Sequence, residues 1–288
     1  MTDDDEGRPA VDLGWTWDPS LYAGSAEHYA AGRVPYPAAL VTALVEALHL
    51  DGTGRLLDVG CGPGSLTLLL APHVAEATGL DADADMLATA ARLAREQGLT
   101  NTVWRHLRAE ELPADLSPVD VVVLAQSFHW TDRDRVAAAA RGLLAPGGAV
   151  VHVHARTHRG VDDAQTGAGS SPRPPWPAID ELIRRYLGSR PRAGQSVLPG
   201  RIGGGDEDRV YRGAGFTGPQ RLTVTGREVE RSAEQILAAV HSLSYAAPHL
   251  FGPRLTEFDA DLRHLLHAGA EEGRFSERMG DIAVDIWR

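Results

Sequence analysis

The sequence predicts an α/β fold, a parallel sheet sandwiched by helices and carrying a helical cap, and three observations predict it. Short apolar runs of strand character recur at 55–60, 75–81, 102–109, 119–126 and 148–155, with helical stretches between most of them. That alternation is the pattern of strands joined by helices and covered on both faces. The first run, RLLDVG, passes straight into a glycine-rich turn, and Asp81 ends the second run roughly 20 residues later, a pairing of turn and acid in consecutive units.

In chain order, residues 1–19 read as a flexible tail, acidic and then Trp- and Pro-bearing. Residues 20–50 read as lid helices, with VPYP breaking the pattern before a second helix over 38–48. The core spans 51–158. Its clearest helix covers 83–97: Asp83 or Asp85 caps it, Met86, Leu87, Ala90, Leu93 and Ala94 form its inner face, and Gly98 ends it. After Ala155 the composition turns to Gly, Pro, Arg and Asp, so 159–204 reads as a cap insertion holding a short helix, Trp176 to Leu187. Residues 205–288 hold the remaining core strands. Within them Asp206 to Gly213 reads as helical, and GFTGPQRLTVTGREVE as a loop into a strand. Amphipathic helices at 232–247 and 253–268 form a further cap insertion at about 231–270, and DIAVDIW closes the chain as a strand.

The 288 residues are 43% apolar, enough for a real core, and 39 acidic against 28 basic residues give a net charge of −11. No stretch concentrates arginine into a stripe that could follow phosphates, so nucleic acid is not an expected partner. No window reaches the roughly 18 uninterrupted apolar residues of a membrane span, and the polar start does not resemble a secretory signal. A single cysteine, Cys61, excludes an internal disulfide and a multi-cysteine metal cage. A cytoplasmic protein, monomeric or homodimeric, is expected. Every basic residue is arginine, which removes a lysine Schiff base from consideration and has the flavour of a high-GC bacterial genome and its secondary metabolism.

In LLDVGCGPG, Asp58, Gly60, Gly62 and Gly64 fall where the first strand gives way to a helix. Glycines there let the backbone pass close to a ligand and leave amides free at a helix start. Asp81 is placed to accept hydrogen bonds from ribose hydroxyls; its plainer role would be to cap the next helix. A dinucleotide turn has its third glycine where this chain has Ser65, and no Tyr-x-x-x-Lys pair is present, so a nicotinamide-dependent oxidoreductase is the lesser alternative. A non-catalytic protein that merely binds the cofactor is another.

This turn resembles the first motif of the class I S-adenosylmethionine-dependent methyltransferases. The likeness continues through GLDADADML, RAEELP, VDVVVLAQSFHWTD and GLLAPGGAVVHVH, five ordered motifs over about 100 residues. Upstream, YAGSAEHYAAGRVPYP resembles the tyrosine-rich helix and following element of a small-molecule branch that includes enzymes similar to trans-aconitate methyltransferase. The resemblance implies a Rossmann-like sheet with an antiparallel final strand, and S-adenosyl-L-methionine as cofactor. It implies Gly60, Gly62 and Gly64 beneath the methionine part, Asp58 near its amino group or the loop, and Asp81 on the ribose. It also puts Ala109 and Glu110 near the adenine, with Arg108 where the family often has Asp.

The fourth strand then ends in Gln126, Ser127, Phe128, His129 and Trp130, at the sheet edge where ligands of open α/β sheets sit. Gln126 is expected against the cofactor, and Trp130, Phe128, Tyr22 or Tyr29 offers an aromatic face to a sulfonium, which has no N–H to donate. Arg33 is a candidate partner for a carboxylate. Methyl transfer needs a base only if the acceptor loses a proton, and His129 is the candidate, competing with positioning and structural roles. His152 and His154 share a strand face, with His158, Asp162 and Asp163 after them; pocket lining is expected of His154, and a metal is not. Trp130, His154 and Tyr245 are expected at the substrate, and Trp176, Tyr186, His241 and His249 are further candidates from the cap. The expected reaction is methyl transfer to a small molecule, with oxygen favoured over nitrogen or carbon.

Overall fold

The computed structural model describes residues 18–161, 171–189, 192–193, 196–197, 206–270 and 272–288. Nearly all of the tail expected at 1–19, and Asp162 and Asp163, lie outside these residues.

Two lid helices come first, α1 (Ala26–Gly32) and α2 (Ala38–Leu48). The core follows as β1 (Arg55–Val59), a helical turn α3 (Thr67–Leu70), β2 (Glu76–Asp81), α4 (Ala84–Glu96), β3 (Thr102–His106), β4 (Val119–Ala125), α5 (Arg133–Leu143) and β5 (Leu144–His154). Then come α6 (Trp176–Leu187), a two-residue hairpin β6 (Arg192–Ala193) and β7 (Ser196–Val197), α7 (Glu207–Gly213) and β8 (Gln220–Val224). The chain finishes with β9 (Glu228–Ser232), α8 (Ala233–His241), α9 (Pro248–Phe251), α10 (Leu255–Gly269), β10 (Arg274–Arg278) and β11 (Ile282–Trp287).

The main sheet runs β3-β2-β1-β4-β5-β11-β8. Its first five strands are parallel, and β11 is antiparallel to both neighbours, β5 and β8. Strand order therefore reverses between β1 and β4, which opens a crevice at their carboxyl ends. Leu57, Val122, Val123, Leu124, Val150 and Val151 are wholly buried because helices cover both faces of these central strands. Each such side chain contributes about 1.5–3 kcal/mol by leaving water.

Asp83 caps α4, its Oδ1 accepting from the amides of Asp85 and Met86, and Met86, Leu87, Ala90 and Ala94 are buried beneath the helix. β5 starts at Leu144, earlier than the apolar run suggests. Pairing jumps from Val119–Leu144 to Val121–Ala149, so an irregularity absorbs the Pro-Gly-Gly segment without ending the strand.

The second half departs from its sequence pattern. The stretch read as one loop and one strand holds two strands: β8 joins the main sheet, whereas β9 leaves it and pairs antiparallel with β10. β9 and β10, at 228–232 and 274–278, thus hydrogen-bond to each other outside the main sheet. Buried charge explains the difference. Arg231 of β9 and Glu277 of β10 form an ion pair at 2.7 Å, with side chains 3% and 1% exposed. Both carboxylate oxygens and both terminal guanidinium nitrogens of the pair are hydrogen-bonded. Glu277 Oε2 accepts from the Gly160 amide (2.7 Å) and Trp176 Nε1 (3.0 Å), and Arg231 donates to the carbonyls of Gly32, His158 and Gln235. The cap's own apolar core joins α6, α8, α9 and α10 through Ile179, Ile236, Phe251, Phe258 and Leu262.

Candidate active site

A cleft of about 1010 Å³, counting space open to solvent, lies at the carboxyl ends of β1, β2 and β4. Its floor is the glycine turn. Gly60 (φ +70°) and Gly62 (φ +55°) both line it in the left-handed region that favours glycine. A side chain at Gly60 would also place Cβ 2.5 Å from Ser127 Cβ. Ser127 is held there by its own hydroxyl, which donates to the Val59 carbonyl at 2.5 Å.

Asp58 and Asp81 flank this turn. Asp58 is 2% exposed; its Oδ2 accepts from Thr67 Oγ1 at 2.6 Å, while Oδ1 is buried without a hydrogen-bond partner. Burial first, and then the nearby Asp81 charge, push its pKa up to about 6 against the hydrogen bond from Thr67. Asp81 Oδ2 accepts from the Gly62 amide at 2.7 Å and Oδ1 from the Asp83 amide at 2.9 Å, so the acid ending β2 also fixes the turn ending β1. Burial raises its pKa, and these amides oppose the rise.

The opposite wall is aromatic. Tyr22 meets Tyr29 and Trp130 edge to face, at centroid distances of 6.3 and 6.4 Å, and all three rings line the cleft. Ala109, Glu110 and Arg108 line its far end; Glu110 pairs with Arg108 at 3.3 Å and accepts from the Asp132 amide, which holds the 109–111 turn against α5.

Gln126 stands at the boundary of two cavities. It is a non-glycine residue at φ +60°, and its Nε2 donates to the Val153 carbonyl at 3.1 Å. Across it lies a second, more open cavity of about 890 Å³, again counting open space, lined by His129, His152 and His154 together with Arg156, Glu207 and Asp281. Burial, ahead of the neighbouring charges, lowers His129 to about 4 and His152 to about 3. Both rings are therefore neutral at pH 7, each with one nitrogen that can accept a hydrogen bond.

The structure thus gathers Tyr22, Tyr29, Asp58, Gly60, Gly62, Asp81, Ala109, Glu110, Gln126 and Trp130 around one cleft, and sets His129 and His154 in the adjoining cavity. Other expected residues lie elsewhere. Gly64 (φ +79°) faces away, where a Cβ would meet Trp104 at 3.0 Å and Ala90 at 3.3 Å; it seats the turn on α4. Arg33 stacks on Tyr29 (4.4 Å) and donates to Ser242 Oγ and the Ser242 carbonyl, tying the lid to the cap. Phe128 is fully buried, stacked on Tyr211 at 5.0 Å, and is a core residue. Tyr245, Trp176 and Tyr186 pack in the cap's apolar core, His241 is held by Asp259 at 2.7 Å, and His249 bonds the Ala23 carbonyl. Among the described residues no group of three or more His, Cys, Asp or Glu is arranged to hold a metal ion. Sequence reasoning did not assign Tyr36 and Met86 to the cleft, although each falls inside a quoted motif, VPYP and GLDADADML.

Comparison with known proteins bears on this cleft. The family described as "Methyltransferase domain" matches residues 56–148. An uncharacterised methyltransferase of Mycobacterium tuberculosis is 35% identical over 132 residues, 46% of this chain and 51% of that protein. The ubiquinone biosynthesis O-methyltransferase of Methylococcus capsulatus is 43% identical over 106 residues, 35% of this chain and 44% of that one. The trans-aconitate 2-methyltransferase of Streptomyces avermitilis is 35% identical over 137 residues, covering 46% and 48%. The chain spans about half the length of these curated relatives. A solved structure from Anaeromyxobacter dehalogenans, described as a candidate type II methyltransferase, shares the fold with a TM-score of 0.50 at 23% identity, covering 88% of this chain and 95% of that one. The strands that build the cleft are those the family match covers, and over them this chain carries a class I S-adenosylmethionine-dependent methyltransferase domain.

Proposed function

We propose that the whole chain transfers a methyl group from S-adenosylmethionine to an oxygen of a small-molecule acceptor. The observation that carries this is the convergence, on one cleft, of the left-handed glycine turn, an unpartnered buried Asp58 oxygen and Asp81. These residues fit the cofactor. Asp58 Oδ1, buried and lacking a donor, would take its ammonium group; Gly60 and Gly62 would let its methionine part lie on bare backbone; Asp81 would hold the ribose, and Ala109 with Glu110 the adenine. When bound, S-adenosylmethionine supplies a methyl carbon on a positively charged sulfur. Tyr22 and Trp130 present ring faces or edges to that region, worth about 0.5–2 kcal/mol if a face meets the cation.

Little covalent work remains for the chain. Its residues hold two reactants in line and keep water out, and His129, beyond Gln126, receives the acceptor's proton. Gly64 and Arg33 serve from behind, one seating the turn and the other joining lid to cap. The lid, core and inserted cap act as the parts of one catalytic unit, monomeric or homodimeric. Among the described residues no helix is long and apolar enough to cross a membrane. A cytoplasmic tailoring step of bacterial secondary metabolism suits the lone cysteine and the arginine-only composition.

Calorimetry tests the assignment. S-adenosylhomocysteine should bind and NAD should not, and Asp81→Ala, which removes the ribose acceptor and frees the Gly62 amide, should weaken binding about 100-fold or more, the worth of two hydrogen bonds to a charged group. Binding of NAD, or full S-adenosylhomocysteine affinity in Asp81→Ala, would overturn it.

A further inference from the structure

We propose that the cavity beyond Gln126 is the acceptor chamber and that it takes a weakly acidic hydroxyl, a phenol or enol, presented to His129. This rests on the methyltransferase assignment above and adds the substrate class. Position is the first support. The chamber lies at the carboxyl ends of β4 and β5 and beside the start of β11, and it shares Gln126 with the cofactor cleft.

The second support is the donor set. Three imidazoles line the chamber, the His152 and His154 rings 4.0 Å apart. His152 is only 5% exposed, and its Nδ1 is buried with no hydrogen-bond partner. A neutral imidazole offers one donor and one acceptor, which matches a hydroxyl that must both give and receive. A carboxylate can accept from the N–H of a ring but has no proton to give, and so leaves the other nitrogen unmatched.

The same lining holds Glu207, Asp281 and Arg156, with Arg133 acting on His129 and His152 from outside it, so charges of both signs surround the chamber. In the step itself, a lone pair of the acceptor oxygen forms the bond to the methyl carbon, the carbon–sulfur pair stays on sulfur as a neutral thioether, and the hydroxyl proton passes to the His129 imidazole and on to solvent. The methyl donor is the S-adenosyl sulfonium.

The probe is 4-nitrophenol, which absorbs visible light only as the anion, titrated into the full chain with and without S-adenosylhomocysteine. The chamber should bind the neutral form about tenfold more tightly, raising the probe's apparent pKa by about one unit, and benzoate should not displace it. His129→Asn and His152→Phe should each weaken the probe roughly tenfold while leaving S-adenosylhomocysteine affinity intact. Binding of the probe as its anion, displacement by benzoate, or unchanged affinity in both variants would overturn the assignment. The cofactor-free titration separates that failure from failure of the methyltransferase reading, which shows instead as absent S-adenosylhomocysteine binding.

Discussion

Gly60→Ala puts the floor of the cleft to a quantitative test. At φ +70° an L side chain pays about 1–2 kcal/mol for the left-handed backbone. Its Cβ would also lie 2.5 Å from Ser127 Cβ, an overlap the buried turn relieves only by moving, at about 1–3 kcal/mol. The two together predict a loss of about 2–5 kcal/mol, a large share of the 5–15 kcal/mol typical of a folded domain. Urea denaturation followed by tryptophan fluorescence reads this directly. Adding Ser127→Gly should return the steric part, a coupling of about 1–3 kcal/mol, but not the backbone part. On its own Ser127→Gly should cost about 1 kcal/mol, from its lost bond to the Val59 carbonyl. If Gly60→Ala is within about 0.5 kcal/mol of the parent, or the pair shows no coupling, the close approach described for this turn is wrong.

Three further outcomes follow from buried charge. Glu277→Gln leaves the Arg231 charge buried opposite a neutral amide, so thermal denaturation should show a loss of about 3–5 kcal/mol; a loss under about 1 kcal/mol would mean the pair is not the joint of the cap. Stability should fall on acidification. His129 and His152 take up protons at about 4 and about 3 in the fold but near 6.5 when unfolded, so each withdraws up to about 1.4 kcal/mol per pH unit as pH drops from about 6.5 toward those values. Asp58, raised to about 6, and Asp81, also raised, work in the opposite sense, while His158, which burial lowers to about 3, adds to the two histidines. The melting temperature measured from pH 7.5 to 4.5 should therefore decline, less steeply in His152→Phe; an unchanged slope would contradict burial of that ring. Finally, S-adenosylhomocysteine should bind about tenfold more tightly at pH 7 than at pH 5, since Asp58 ionises near 6 and pairs with an ammonium only when charged. In Asp58→Asn, affinity should be weaker and flat with pH; a persistent slope would place the titrating group elsewhere.

The first half of the fold was legible because its signals are local. The cap at Asp83, the apolar face of α4 and the strand runs each report a hydrogen bond or a burial pattern set within a few residues. The β9–β10 pairing was not legible, since nothing near Arg231 or Glu277 in the sequence marks them as core residues, which they become only through each other and through partners as distant as Gly32. The site divided along the same line. The glycine turn and Asp81 are sequence neighbours of strand ends, so their meeting follows from topology. By contrast, Phe128 and Trp130 differ by two positions in a short 3-10 turn, yet one is core and the other borders the cleft, because the Tyr211 ring from α7 occupies the space beside the former. The contacts of Arg33 were hidden for a similar reason: its acceptors at Ser242 belong to a helix end over 200 residues away.

Gly32 lets α1 lie backbone against backbone on α8, where a Cβ would come within 2.2 Å of the Ala239 nitrogen, and Ser25 donates to the His241 carbonyl in the same contact. The segment that carries Tyr29 into the cleft is thus clamped to the C-terminal half of the chain, and α1 cannot tilt away from the glycine turn without breaking that seam or taking α8 along.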